Sequence, residues 1–160
     1  MIDTEVPKLL KNKRILVVDD QGSIRTVFQT FLKGIGFNNV LSAIDGEDSI
    51  RFLEKHAVDL IICDWAMPKL SGLEVLQVLR AAEETRTLPF MMVTSSSEIA
   101  KVQQAVELGV SDYLIKPFQP GQLCQKVVTL LAESKHQPKR LPVQSPVDSA
   151  EQISHEISPD

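Results

Sequence analysis

The chain has 160 residues, 43% hydrophobic and 24% charged, enough apolar material for one globular domain with a real core, and this excludes wholesale disorder. Seventeen Lys and Arg against 21 Asp and Glu leave a formal charge of −4, so there is no broad basic footprint and nucleic acid is not an expected partner. Cys63 and Cys124 match no clustered metal spacing, Met1 to Arg14 holds no apolar h-region, and no stretch approaches the ~18 apolar residues of a membrane span. A cytoplasmic protein without membrane insertion is expected.

After an N-terminal extension over 1–12, short apolar runs alternate with longer amphipathic stretches. Ile15 to Val18 predicts a first strand. Ile24, Val27, Phe28, Phe31, Leu32 and Ile35 then recur at steps of three and four, which places them on one helical stripe, and Gly34 and Gly36 stop it. Asn39 to Ala43 predicts the second strand. The next helix runs from Gly46 or Glu47 to Lys55 with Ile50 and Leu53 inward and Asp45 capping its first turn. Leu60 to Cys63 forms the third strand, and a helix after Ser71-Gly72 packs Leu73, Leu76 and Leu79. Phe90 to Val93 forms the fourth, followed by a helix over Glu98 to Leu108 that rests on Ile99, Val102 and Val106 and ends at Gly109. Asp112 to Ile115 forms the fifth, and the last helix follows Pro120 with Leu123, Val127, Leu130 and Leu131.

Several of these strands are apolar at consecutive positions, as strands covered on both faces are. Five β/α repeats with right-handed crossovers predict an α/β fold, a doubly wound parallel sheet flanked by five helices, over residues 13–132. Residues 133–160 contain no aromatic side chain and four of the nine prolines, so a flexible tail is expected there.

In an open parallel sheet, ligands bind beyond the carboxyl ends of the strands. The first strand ends in Asp19-Asp20, the third in Asp64, the fourth in Thr94-Ser95 and the fifth in Lys116. Taken singly, an acidic pair after a strand is commonly a solvated turn or helix cap, Thr94 a turn residue and Lys116 a surface lysine. Jointly, four separate bland explanations would have to coincide on one rim. Three carboxylates brought together repel each other unless a cation intervenes. Oxygen ligands without His or Cys favour Mg²⁺, which leaves positions for water and phosphate oxygens. Opposite the metal, an ammonium and a hydroxyl complete a charge clamp suited to phosphoryl transfer, with one carboxylate free to act as nucleophile.

The segments Ile15 to Asp20 (ILVVDD), Cys63 to Pro68 (CDWAMP), Val93-Thr94-Ser95 and Lys116-Pro117-Phe118 (KPF) resemble the bacterial response-regulator receiver domain. Asp20 lies 44 residues before Asp64, Thr94 lies 30 after it, and Lys116 follows Thr94 by 22. Each motif is weak alone; in this order on strand ends they are highly specific. The resemblance spans about residues 13 to 132 and is nearest to CheY-type chemotaxis regulators, notably at Gly36 to Val40.

The resemblance implies a strand order of 2-1-3-4-5 and a stand-alone signalling switch, not an enzyme with an outside substrate. Asp64 is then the phosphoacceptor, taking its phosphoryl group from a histidine kinase or phosphotransfer protein. Asp19, Asp20, Asp64 and the backbone carbonyl of Ala66 hold Mg²⁺, and Lys116, Thr94 and Ser95 meet the phosphate. Tyr113 rotates inward when Thr94 moves, and the Lys116-Pro117 bond is cis. The output face comprises the fourth helix, fifth strand and fifth helix, and binds a downstream protein such as the flagellar motor switch. Ala66 and Ser96 depart from the chemotaxis pattern, which usually carries Asn and Glu there. A phosphorelay intermediate or a non-chemotaxis regulator is the nearest rival reading. A Mg²⁺-dependent phosphatase with an aspartyl nucleophile lacks its usual second acid at position 66. A nucleotide-binding flavodoxin or Rossmann-like domain lacks a glycine-rich phosphate loop after the first strand.

Overall fold

Because three strands are apolar at nearly every position, the sheet they form must be covered on both faces. The computed structural model describes residues 5–144 and contains five parallel strands in the order β2-β1-β3-β4-β5: β1 Arg14–Val18, β2 Asn39–Ala43, β3 Leu60–Asp64, β4 Phe90–Ser95 and β5 Asp112–Lys116. The helices are α1 Gly22–Gly34, α2 Gly46–Lys55, α3 Gly72–Ala81, α4 Val102–Glu107 and α5 Pro120–Glu133. Strand alternation splits the core. Ile15, Val17, Leu60, Ile62, Met91 and Val93 meet α1 and α5 on one face, whereas Leu16, Val18, Ile61, Cys63 and Met92 meet α2 and α3 on the other.

The helix boundaries follow local chemistry. Asp45 accepts the Asp48 N–H at 2.8 Å and caps α2. Ser71 and Glu74 reciprocate across the first turn of α3, a capping box. Along α1 only Phe28 and Leu32 are fully buried, while Val27 of the expected stripe faces outward. The fourth helix departs further from its expected form. Ser96 to Lys101 is a 3-10 turn, and only Val102 to Glu107 is α-helical. Ile99 and Val106, expected to pack inward, are 46% and 51% exposed, and Ala105 is the buried contact. The serine run before this segment offers the backbone alternative hydrogen bonds, which weakens α-helical winding at its start.

Both flanks pack on the domain. In the extension, Val6 and Leu10 are buried against the α1 side, and Val6 N–H donates to Ile35 O. Residues 134–144, read from composition as flexible tail, form a strap instead. His136 pairs with Thr87 through Nδ1 at 2.7 Å, Leu141 N–H donates to Leu53 O at 2.8 Å, and Gln144 N–H reaches Glu54. One leucine reverses the compositional expectation: Leu141 is 2% exposed and joins the cluster of α2 and α3. The remainder of the tail, 145–160, lies outside the described residues, as do residues 1–4.

Removing the Leu141 side chain should cost about 2 kcal/mol in urea unfolding, whereas Val143→Ala, at an exposed position, should change stability by less than about 0.5 kcal/mol. Burial lowers the His136 pKa from 6.5; Asp59 opposes that shift, and Arg80 and Lys139 add to it. Its Nε2 is buried without a partner, so protonation would place an N–H there with no acceptor. A depressed folded value means that the docked strap is favoured above pH 6.5 and loses stability as pH falls through that value. Amide protection factors over 134–144 should therefore fall between pH 7 and 5, and His136→Gln should flatten that dependence.

Candidate functional site

Parallel strands put all carboxyl ends on one rim, and register decides which residues meet there. Val18 pairs with Cys63 across β1 and β3, so the residues that follow them, Asp19 and Asp64, emerge side by side. Asp64 pairs with Val93 of β4, and Ser95 with Lys116 of β5. One carboxylate oxygen from each of Asp19, Asp20 and Asp64 lies within 4.8 Å of the others. Lys116 Nζ closes the far side at 3.0 Å from Asp64 Oδ1. The Lys116-Pro117 peptide bond is cis.

The acidic group is asymmetric. Asp20 is exposed, whereas Asp19 and Asp64 are buried, at 2% and 8% exposure. Asp19 Oδ1 accepts the Gln21 N–H at 2.9 Å, while Oδ2 is buried with no partner. Desolvation raises the Asp19 pKa, with the Gln21 hydrogen bond and Lys116 opposing and Asp20 adding to it. Desolvation also raises that of Asp64, against the Lys116 hydrogen bond and reinforced by Asp19 and Glu98. A single ammonium thus fails to offset two buried carboxylates. An orphaned buried oxygen beside two further carboxylates, with no nitrogen or sulfur donor, fits a hard divalent cation such as Mg²⁺.

Close packing holds Asp64 in place. Gly72 N–H donates to Trp65 O at 2.8 Å, and a Cβ at Gly72 would fall 2.3 Å from Asp64 O and 2.8 Å from Met92 Sδ. The start of α3 therefore rests on the backbone of Asp64, where only glycine fits. The loop between them turns through Lys69 at φ 70°, and the Lys69 ammonium lies 3.5 Å from Asp45 and 3.7 Å from Glu47. Trp65, adjacent to Asp64, is buried in the core cluster beneath the site.

Not every residue expected at the site converges on it. Thr94 is fully buried at the end of β4, its hydroxyl 3.2 Å from Ser95 O and 3.4 Å from Glu98 Oε1. Ser95 likewise turns to Glu98. Ala66 sits exposed in the loop after β3, and Tyr113 on β5 is 38% exposed. Sequence reasoning missed two side chains. Arg25 Nη1 donates to Asp19 O at 2.7 Å from the first turn of α1; nothing in its spacing signals this. Glu98 had a signal, because Ser95-Ser96-Ser97-Glu98 has the S-x-x-E spacing of a capping box.

Comparison with known proteins agrees with this geometry. The family model of the response regulator receiver domain matches residues 15–128. Chemotaxis protein CheY-3 of Vibrio cholerae serotype O1 is 36% identical over 119 residues, 74% of this chain and 92% of that protein. Among solved structures, the Vibrio cholerae chemotaxis response regulator CheY4 superposes with a TM-score of 0.70 at 30% identity, over 75% of this chain and 99% of its own. The receiver domain of a Pseudomonas aeruginosa PAO1 sensor histidine kinase, with a magnesium ion coordinated in its active-site cleft, gives 0.68 at 28% identity, over 77% and 99%. Among the described residues no helix is long and apolar enough to cross a membrane. With the fold, the strand order and the acidic rim in agreement, the chain belongs to the response regulator receiver domain family and is a module of phosphorylation-dependent signalling, not a conventional enzyme.

Proposed function

We propose that Asp64 is the phosphoacceptor, taking a phosphoryl group from the phosphohistidine of a histidine kinase or phosphotransfer protein in the cytoplasm. The observation that carries this reading is the pairing of a buried Asp64 with Lys116 at 3.0 Å inside a cluster of three carboxylates. An Asp64 oxygen forms the new bond to phosphorus while the phosphorus–nitrogen bond breaks, and the departing imidazole keeps its electron pair and takes a proton. Lys116 meets the charge gathered on the phosphoryl oxygens, and Thr94 and Ser95 supply hydroxyl donors from the neighbouring strand end. Asp19, Asp20, Asp64 and the backbone carbonyl of Ala66 would hold Mg²⁺. That ion supplies charge neutralisation between the carboxylates and the incoming phosphate.

Output in this reading passes to a downstream protein through α4, β5 and α5. Ile99, Val106 and Tyr113 stand exposed on that side, apolar material that a partner can cover. Tyr113 would turn inward as Thr94 moves to the phosphate. The chemotaxis relatives make the flagellar motor switch one such partner. Ala66 and Ser96, small side chains flanking the path of the hydrolytic water, favour an acyl phosphate turned over without a chemotaxis phosphatase, which suits a relay intermediate or a non-chemotaxis regulator as well. No side chain at position 66 can act as the second acid of a phosphatase.

Incubation with acetyl phosphate and Mg²⁺ should add the mass of one phosphoryl group and change Trp65 fluorescence. Both effects should vanish in Asp64→Asn; labelling that persists there would assign the acceptor elsewhere. Asp19→Asn addresses the metal. A raised folded pKa means that the stabilising protonated form is lost as pH rises through that value from the ordinary 3.8, so ionised Asp19 burdens the metal-free fold at pH 7. A neutral side chain there should raise the metal-free Tm by roughly 2–4 °C, about 1 kcal/mol. That gain should close as pH falls toward 3.8. The same variant should lose the thermal stabilisation that Mg²⁺ gives the wild-type chain; equal Mg²⁺ stabilisation in both would remove Asp19 from the metal site.

A further inference from the structure

At the end of β4, the hydroxyl and amide donors turn toward one oxygen. Glu98 Oε1 lies 3.4 Å from Thr94 Oγ1, 3.1 Å from Ser95 Oγ and 3.2 Å from Ser95 N. Ser97 Oγ adds to the knot at 2.7 Å from Ser95 Oγ. Thr94 is fully buried and its hydroxyl carries a single proton, shared between Glu98 and the Ser95 carbonyl at 3.2 Å. Glu98 also acts on the acceptor by charge, for its carboxylate is among the groups that raise the Asp64 pKa.

We propose that Glu98 is a positioning residue of the phosphoryl switch: its carboxylate holds Thr94 and Ser95 in the unmodified arrangement and competes with the phosphoryl group on Asp64 for the same hydroxyl proton. The inference rests on Asp64 being the acceptor. One proton serves one strong acceptor at a time, so Thr94 cannot donate to Glu98 and to a phosphoryl oxygen together. The added negative charge on Asp64 also repels Glu98. Both effects act in the same direction, releasing the carboxylate as the phosphate arrives. Release has a structural consequence at once, because the Ser95 N–H loses its acceptor at the start of the 3-10 turn that leads into α4. Glu98 therefore couples the phosphate to the segment whose winding is already incomplete.

Beryllofluoride with Mg²⁺ serves as the probe, its bound form followed by fluorine NMR in the full chain. Glu98→Ala should bind the probe about fivefold tighter than wild type, the worth of one long competing hydrogen bond at 3.4 Å, and Glu98→Gln should fall between them. A simple helix-capping role gives a different signature, since removing a cap weakens the fold without favouring the bound form. Thr94→Ala separates the two: in that background the gain from Glu98→Ala should shrink to less than about twofold, because the hydroxyl under contest is gone. Unchanged or weaker binding by Glu98→Ala, or a gain that persists undiminished in the Thr94→Ala background, overturns the proposal while leaving Asp64 as acceptor. A wild-type chain that binds no probe, or an Asp64→Asn chain that binds it equally well, overturns the acceptor reading itself.

Discussion

Two carboxylates buried side by side, with one ammonium between them and the solvent, set the terms for the rest of the molecule. Asp19 and Asp64 cannot move apart, since each extends a central strand whose partners are fixed by the ladder between β1 and β3. Nor can Asp64 retreat toward α3, where Gly72 packs against its carbonyl with no room for a methyl group. Loops elsewhere on the rim accommodate the acids; the acids do not accommodate the loops. Arg25 spends its guanidinium on the Asp19 carbonyl, and Lys69 on Asp45 and Glu47, leaving Lys116 to face the buried pair.

The balance of effects at this point decides what the site can do. Desolvation is the largest influence on both buried carboxyls, larger than the hydrogen bonds and Coulomb attraction that oppose it. The unmodified site is therefore short of positive charge. Burial together with Asp64 and Asp19 pushes the neighbouring Cys63 thiol well up as well, which keeps it protonated and inert. A divalent cation held by these carboxylates would remove that deficit.

The fold was legible because its signals were local and strong: apolar strands bounded by turns, Asp45 and Ser71 as caps, and strand ends that carry all the chemical residues. Asn39–Ala43 was readable to the residue, and Gly46–Lys55 to within one residue at its start. Failures came where tertiary context overruled pattern. Periodicity placed Ile99 and Val106 inward, yet a helix of so few residues, entered through a 3-10 turn, presents Ala105 to the sheet instead. Composition made the C-terminal segment a tail, because an average over many polar residues hides the one leucine that finds a pocket beside α2. Tyr113 was legible as a position on β5, but its partial exposure follows from the neighbours it meets in the fold and no sequence pattern encodes that.

The weakly wound fourth helix also explains how a local charge event can travel. Along α1 and α5, large side chains such as Phe28, Leu32, Leu123 and Val127 are fully buried, and shifting either helix would forfeit several kcal/mol of apolar contact. Between Ser96 and Glu107 only Ala105 is fully buried, so little packing energy resists a change there. A perturbation of one or two hydrogen bonds, worth about 1 kcal/mol each, is small against the first pair of helices and comparable with what holds the fourth. A ligand shifts a conformational equilibrium only by its differential affinity for the two states, so a modest ligand can shift this segment more readily than the well-packed helices. The hydroxyls of β4 and the loosely seated segment that follows them are joined through Glu98, and that segment carries the exposed Ile99 and Val106.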